Sequence, residues 1–433
     1  MQMTAFTQGL SGLRSDQKAI EVTSNNIANS NTAGFKSSRA IFGDVYSSVY
    51  GGGVLPTSGK GSRILDVDQQ FFQGNLTPSG NPLDLGISGD GFFKVQTPGG
   101  KVQYTRAGQF GLDPNGFVIN SQGDRLQGFA LDAATGLPID NPIDVKVVED
   151  ILPPSATTSS SIRFNLDARA PAAVNPVFDP LDPTSFNSST SMVIYDDLGR
   201  ERTLNVYFAR RDADTTDNVV DPTWEVRATV DGLPVGVAVE NSGNPFGDSG
   251  TLEFATGGGL VDPANARFSL DLSNYAASNG NFSESNSLTL DLSASTQFGA
   301  AFIVQDLAQD GYETANFTGF SVNDDGILSY NYSNGEVIDA AQVAVYRFIN
   351  PDGLRPVGES KWETTIDAGA ELKSLNPETN FALVKQGFFE ESNVDLTDEL
   401  VKLIVYQRSY QANSQSIKTQ DALLQTATNL RNG

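Results

Sequence analysis

The chain has 433 residues, 52 acidic against 28 basic side chains, and a formal net charge of −24. This charge argues against nucleic acid, which binds clustered Lys and Arg, and against adsorption on an anionic membrane. No segment approaches the roughly 18 consecutive apolar residues of a membrane span, so we expect no membrane insertion. Because the chain contains neither cysteine nor histidine, disulfides, the usual zinc sites and Ser-His-Asp or Cys-His nucleophiles are excluded, and no cofactor or metal is predicted. Composition leaves open a hydrolase that works with two carboxylates.

The first element, over residues 3–29, is predicted to be an amphipathic helix. Its apolar side chains recur at every seventh position, at Phe6, Leu13, Ile20 and Ile27, a spacing typical of a coiled-coil seam. The helix is expected to end near Asn29–Asn31, before Gly34. Charged residues interrupt its apolar positions, so we do not expect a cleaved secretory signal.

Residues 31–90 show little periodicity and are rich in Gly and Ser, including Gly51–Gly53. They are predicted to form an extended connector. Residues 91–150 are instead typical of short strands with tight turns. The predicted strands are Phe92–Thr97, Val102–Arg106, Gly116–Asn120 and Asp124–Leu131.

A change of composition marks the next boundary, where Leu152–Pro154 and the run Ser155–Ser161 predict a linker. Residues 151–316 are predicted to be an inserted outer β-domain, because apolar and polar side chains alternate there with a period of two. Four sets should each share a buried face: Leu204, Val206 and Phe208; Trp224, Val226, Ala228 and Val230; Phe268, Leu270 and Leu272; Leu288, Leu290 and Leu292.

A short pattern then returns. Phe110-x-Leu112 precedes Gly116, and Phe320-x-Val322 precedes Gly326 at the same offset. This suggests that residues 91–150 and 317–391 form one inner β-domain around the insertion. The predicted fold class is therefore mainly β: a nested multidomain chain of antiparallel, sandwich- or barrel-like β-domains, flanked by long terminal helices.

Residues 392–433 complete the chain as a second predicted helix, which forms a terminal coiled-coil domain with residues 1–30. Its seam is Leu396, Leu403, Tyr410, Ile417 and Leu424. A lone pair of helices buries little apolar surface against the entropy cost of ordering. We therefore expect the helices to order in an assembly, with the seam residues of both as its interface. Five polar positions should set the register: Asn25, Asn29, Gln407, Asn413 and Gln420.

Two Asp- and Asn-rich segments, Asp196–Gly199 and Asn323–Gly326, are the candidates for calcium. Both lack the twelve-residue loop and final Glu of a strong calcium site. Ordinary turns are the favoured interpretation.

One string is more specific than any of these patterns. Residues 24–36 read SNNIANSNTAGFK, which resembles the N-terminal signature shared by bacterial flagellar rod and hook proteins. The signature positions are Asn25, Asn26, Ala28, Asn29, Thr32, Gly34 and Phe35. Residues 74–95, 104–128 and 387–430 look like further parts of the same family.

Within this family, the chain most resembles hook subunits in its length and in its large insertion. The resemblance implies a structural protein without enzymatic activity, whose copies self-assemble into a curved hollow helical tube. Such a tube lies outside the cell and acts as a universal joint that transmits torque from rod to filament. The implied partners are other copies of the chain, the distal rod protein, the hook cap, the hook-filament junction protein and the flagellar type III export apparatus.

The alternatives are a distal-rod-like axial protein with an insertion and, from other classes, a secreted carboxylate-based hydrolase or a surface adhesin. The hydrolase would need a concave site with two carboxylates roughly 5–10 Å apart.

Overall fold

A computed structural model describes residues 2–45, 61–132, 135–211, 223–239, 250–255, 257–263, 266–273, 287–374 and 382–432. The chain divides into two compact units. The first comprises Met1–Glu149, Gly319–Asn331 and Val337–Gly433, and the second comprises Asp150–Thr318 and Tyr332–Glu336. Gly51–Gly53, in the predicted connector, lie outside the described residues.

The first part of the chain contains one long helix followed by ten strands. These are α1 Gln2–Ala28, β1 Ser38–Asp44, β2 Ser62–Gln69, β3 Leu76–Pro78, β4 Leu85–Gly89, β5 Phe92–Gln96, β6 Val102–Thr105, β7 Phe110–Leu112, β8 Val118–Asn120, β9 Arg125–Leu131 and β10 Pro138–Asp144. The interval predicted as an extended connector thus contains β1 to β4. Within it, β1 and β2 pair antiparallel, and both contact α1.

The described residues in the middle of the chain form eleven strands. These are β11 Ser159–Asp167, β12 Ser188–Tyr195, β13 Glu201–Arg211, β14 Thr223–Val230, β15 Leu233–Val239, β16 Gly250–Phe254, β17 Leu260–Asp262, β18 Arg267–Asp271, β19 Ser287–Asp291, β20 Thr296–Phe298 and β21 Ile303–Gln309.

The last part contributes nine strands, two short 3-10 turns and the second long helix. These are β22 Phe317–Val322, β23 Ile327–Tyr332, β24 Val337–Val343, β25 Val345–Phe348, β26 Arg355–Gly358, β27 Lys361–Glu363, β28 Glu371–Ser374, β29 Ala382–Gln386, β30 Phe388–Glu390 and α2 Leu396–Asn432.

The main sheet of the first unit interleaves strands from both sides of the insertion. Its order is β22-β23-β24-β9-β5-β6-β27-β26, with β7, β8, β10, β25 and β28 attached at its sides. Aromatic side chains dominate its core, where Phe92, Tyr104, Phe129, Tyr346 and Trp362 are buried together. Because β9 pairs with β24 and β5 pairs with β25, the first and last parts of the chain build one sheet.

The second unit is built on a sheet ordered β12-β13-β14-β15-β18-β19-β11-β20. The structure confirms all four predicted apolar faces, since every member of the four sets is buried in one core. Two pairings depart from the antiparallel pattern, because β11 pairs parallel with β19 and with β20. The mainly β fold class with helical ends is confirmed.

The predicted linker over Ser155–Ser161 is wrong in detail. Ser155 forms a β-bridge with Tyr312, and Ser159 already begins β11. Small polar side chains here alternate between exposed and buried environments, and Ser160 is buried. The serines therefore belong to a strand with period two rather than to a flexible segment.

The two similar turns have the same internal hydrogen bonds. Asp113 Oδ1 accepts the backbone N–H groups of Asn115 and Phe117. Asn323 Oδ1 accepts the corresponding N–H groups of Asp325 and Ile327. This is ordinary Asx-turn chemistry.

Candidate assembly surface and its support

The two terminal helices form an antiparallel pair. Asp16 on α1 accepts hydrogen bonds from Ser409 (2.9 Å) and Asn413 (2.8 Å) on α2. Farther along α1, Asn26 donates to Glu399 near the start of α2, at 3.1 Å. The opposite order of these contacts along the two helices defines the antiparallel arrangement.

Two glycines on one face of α1 allow the helices to approach closely. A Cβ atom at Gly9 would lie 2.9 Å from Cγ1 of Ile417, and one at Gly12 would lie 2.7 Å from Nδ2 of Asn413. Both distances are shorter than side chains tolerate. The seven-residue apolar spacing did not predict that Gly9 and Gly12 would face the other helix. Their i, i+3 spacing nevertheless puts them on the same side of α1.

The predicted seam of α1 is only partly buried. Leu13, Ile20 and Ile27 are half-buried, and Phe6 is exposed. The fully buried positions are Ser15, Ala19, Val22, Thr23 and Asn26, which lie beside that seam. Small and polar residues occupy the buried face because β1, β2 and α2 all contact the helix.

The predicted seam of α2 is divided in the same way. Leu403 and Ile417 are half-buried, Leu396 and Tyr410 are exposed, and the side chain of Leu424 lies outside the described residues. A different set, Leu400, Val401, Ile404 and Val405, is between 44% and 57% exposed. We call these four residues the α2 stripe. Their i, i+1, i+4, i+5 spacing is present in the sequence, but none of the four residues belongs to the predicted seven-residue seam.

The signature residues form local hydrogen bonds at the C-terminal end of α1. Asn29 donates from its side chain to the carbonyl oxygen of Asn25 at 2.9 Å, and the Thr32 hydroxyl donates to Asn29 Oδ1 at 3.2 Å. The N–H of Phe35 then donates to the carbonyl of Thr32. Ala28 is the last residue of α1. These local bonds explain why Asn and Thr occupy these positions.

Asn26 links three separate segments. Its side chain is almost completely buried. It exchanges hydrogen bonds with the backbone of Ser38, donating to the carbonyl at 2.8 Å and accepting from the N–H at 2.9 Å, and it also donates to Glu399. Asn26 thereby fixes α1 to both β1 and α2.

Gly34 is required by both backbone conformation and space. Its φ is +67°, and a Cβ atom there would lie 2.3 Å from the backbone nitrogen of Ala107. Its N–H donates to the carbonyl oxygen of Glu390 at 2.8 Å. The signature glycine therefore lets the chain pass between two other segments.

A buried group of charges lies directly beside Gly34. The Glu390 carboxylate accepts from Lys36 Nζ, Arg106 Nε and the Gly74 N–H, each at 2.7 Å. Lys36 and Glu390 side chains are fully buried, and Arg106 is nearly so. Arg106 also donates to the carbonyls of Gly89 and Gly91. We call Lys36, Arg106 and Glu390 the charge cluster; it joins the ends of the chain to the inner sheet.

The cluster changes the titration of its lysine. Burial lowers the pKa of Lys36 to about 8, and the neighbouring Arg106 charge acts in the same direction, while Glu390 opposes it. Burial disfavours the charged ammonium group, so removal of a proton from Lys36 is easier than in water despite the neighbouring Glu390.

Among the described residues, no group of acidic side chains is arranged to hold a metal ion. In the same part of the chain, no helix is sufficiently long and apolar to cross a membrane.

Comparison with known families places both ends and the middle of the chain in the flagellar rod and hook class. Four family models match: "Flagella basal body rod protein" over residues 8–36, "Flagellar hook protein FlgE/F/G D1 domain" over 86–165, "Flagellar basal body protein FlaE D2 domain" over 165–312, and "Flagellar basal body rod FlgEFG protein C-terminal" over 385–430. These are structural proteins rather than enzymes, so the hydrolase alternative is wrong.

Relatives that match over their full length show which family within this class the chain belongs to. The chain is 35% identical to the flagellar hook protein FlgE of Escherichia coli K12 over 434 residues, covering 99% of this chain and 100% of the relative. It is 29% identical to the FlgE of Treponema pallidum, again over 99% of this chain and 100% of the relative. The chain belongs to the flagellar hook protein FlgE family.

A solved structure shares the fold. The crystal structure of Helicobacter pylori flagellar hook protein FlgE2 aligns with a TM-score of 0.53 at 15% identity, covering 72% of this chain and 100% of the other.

Proposed function

We propose that this chain is the structural subunit of a bacterial flagellar hook, and that its copies assemble into a curved, hollow helical tube. The tube acts as a universal joint that passes torque from the rod to the filament. The observation that carries this proposal is similarity to hook proteins along the whole chain, including the insertion.

The finer assignments follow from the same proposal. The subunit contacts other copies along the tube, the distal rod protein at one end, and the hook cap and the hook-filament junction protein at the other. It reaches the outside of the cell through the flagellar type III export apparatus.

The geometry of the helical ends supports assembly. The α2 stripe presents apolar side chains to solvent, and contiguous exposed apolar surface on a protein marks an interaction site. The buried charge cluster and Asn26 hold the helix pair on the inner unit. A helix with an uncovered apolar side is suited to packing against neighbours. The predicted seam and register residues belong to this proposed interface.

Electron microscopy of the purified full chain at low and high salt tests the proposal. With a net charge of −24, copies repel one another, and salt shortens the Debye length from about 30 Å at 0.01 M to about 8 Å at 0.15 M. Curved tubes or tube segments should therefore form more readily at high salt. Persistent monomers under all conditions would contradict the proposal.

A matched pair of variants locates the interface. Ile404→Asp adds a charge to the α2 stripe and should prevent tube formation while leaving the β-structure folded. Ser416→Asp places the same charge at an exposed position of the same helix, roughly 120° around the helix axis from Ile404, and should permit assembly. Equal assembly of both variants would exclude the stripe from the interface.

A further inference from the structure

The α2 stripe faces away from the partner helix within its own chain. Ser409 and Asn413 contact α1. At about 100° per residue, Leu400 and Ile404 project from the opposite side of α2, roughly 160° from the mean direction of Ser409 and Asn413. Val401 and Val405 lie between the two sides, and both are more than half exposed. The stripe is thus not needed for the α1–α2 pair and is available to another surface.

An open groove of about 700 Å³ lies on the same structural unit. Its apolar wall includes Phe72, Ile349 and Leu372, which are exposed, Ile349 at 72%. Its lining also includes three acidic side chains, Asp68, Asp90 and Asp352, against one exposed cation, Arg347. Arg106, which lines the groove too, is already paired with Glu390. We call this the acidic groove.

The charges of α2 and of the acidic groove are opposite in sign. Residues 400–420 contain no Asp or Glu, although the chain as a whole carries a net charge of −24. Of the three cations in this range, Lys402 is paired with Glu399, and the other two are Arg408 and Lys418. Arg408 lies one turn beyond Ile404, on the side of the helix that carries the stripe. An apolar stripe with adjacent cations therefore meets an apolar wall with adjacent carboxylates, which favours this pairing over contact between two acidic surfaces.

We propose that the α2 stripe of one subunit docks in the acidic groove of a second copy of the chain. This inference rests on the proposed function and names the contact through which subunits propagate. Because the two surfaces differ, the contact is heterologous and leaves a free groove and a free stripe after each addition. Such contacts build open helical polymers, whereas stripe-to-stripe packing about a two-fold axis would close into a dimer.

The absence of cysteine permits a direct test by disulfide formation between copies. Chains with Ile404→Cys are mixed with chains carrying Ile349→Cys, polymerised and oxidised; Val401→Cys with Leu372→Cys forms a second pair. A disulfide requires Cα atoms about 4.4–6.8 Å apart. The control partner is Val337→Cys, which is exposed on β24 and is not among the groove residues.

The expected result is a cross-linked dimer between stripe and groove variants in polymers, absent with Val337→Cys. Polymers that yield no stripe–groove dimer, or that link Ile404→Cys only to itself, overturn the docking proposal and leave the proposed function intact. Failure of the parent chain to polymerise overturns both.

A substitution gives an independent measurement. Ile349→Asp should raise the critical concentration for polymerisation by roughly tenfold or more, which corresponds to about 1.4 kcal/mol. Val337→Asp should leave it within roughly twofold. Equal effects of both substitutions would overturn the contact. Unchanged circular dichroism of both variants in the monomer distinguishes lost docking from lost folding.

Discussion

At the scale of single residues, the charge cluster connects parts of the chain that are far apart in sequence. Lys36 follows the N-terminal signature, Arg106 follows β6, and Glu390 ends β30 just before α2. A buried ion pair is not by itself evidence of high stability, since desolvation offsets the attraction. Glu390 is nevertheless the shared counter-charge, so losing it leaves both Lys36 and Arg106 buried without an ionic partner.

Glu390→Gln should therefore destabilise the first unit strongly. The amide preserves shape but leaves Lys36 and Arg106 without a counter-charge, so the free energy of unfolding should fall by about 3–5 kcal/mol. Denaturant unfolding measures this change. Asp324→Asn, which breaks the exposed pair with Lys385, is the control and should cost at most about 1 kcal/mol. Similar losses for both variants would contradict the role of the cluster.

The lowered pKa of Lys36 predicts a distinct pH dependence. The group titrates with a pKa of about 8 when folded and 10.5 when unfolded. Between these values the unfolded state binds more protons, so the contribution of Lys36 to stability increases as pH rises. The free energy of unfolding of the parent minus that of Lys36→Met should rise by up to about 1.4 kcal/mol per pH unit. A difference that stays flat or falls from about pH 8 to about pH 10 would refute the assigned pKa.

Gly34 offers a test of the signature itself. In Gly34→Ala, the left-handed backbone costs about 1–2 kcal/mol, and the added Cβ also meets the Ala107 backbone. Gly80 has a similar φ of +75°, with nothing within 4 Å of the position that a methyl group would occupy; Gly80→Ala should carry the backbone cost alone. Thermal unfolding of both variants measures the difference. Equal midpoints would show that the crowding around Gly34 is unimportant.

At the scale of elements, the terminal helices are held together by close approach rather than by large apolar side chains. Gly9 and Gly12 face Ile417 and Asn413, and Asp16 joins Ser409 and Asn413. Close approach makes the pair sensitive to side-chain size. That the helices are disordered in the monomer and order in the assembly stays a prediction, which circular dichroism of the two states would test.

Gly12→Leu separates helix propensity from packing. Leucine favours an isolated helix by roughly 0.8–1 kcal/mol over glycine, but here it would displace Asn413 and separate α1 from α2. We expect weaker assembly and lower thermal stability of the polymer despite the higher propensity. Gln17→Leu, at an exposed position of α1, should have little effect. Stronger assembly of Gly12→Leu would mean that propensity dominates over packing.

At the scale of the whole molecule, each unit has its own core. The aromatic core of the first unit is assembled from both halves of the chain, and the second unit buries four alternating strand faces. Separate cores allow separate unfolding transitions, which calorimetry resolves.

Matched substitutions test this independence. Leu290→Ala in the second unit and Leu126→Ala in the first both truncate fully buried leucines, at a cost of about 2–5 kcal/mol each. Each should lower a different calorimetric transition. If either substitution moves both transitions together, the units fold as one cooperative body.

The sequence by itself determined the features that depend on local periodicity and local chemistry. A period of two assigned the buried faces of β13, β14, β18 and β19, because alternate side chains in a strand point to opposite sides. The Asn-rich string located the end of α1, since its hydrogen bonds join residues three or four positions apart. The mainly β fold with helical ends followed from the same patterns.

Only the tertiary structure decided which of these faces meet. Lys36 and Glu390 are 354 positions apart, and no local pattern pairs them. The heptads identified which residues are apolar on each helix, yet Ala19, Val22 and Asn26 form the buried face of α1, while the α2 stripe stays exposed. Periodicity defines the side of an element to which a residue belongs, but burial depends on the neighbouring segments that the folded chain brings against that side.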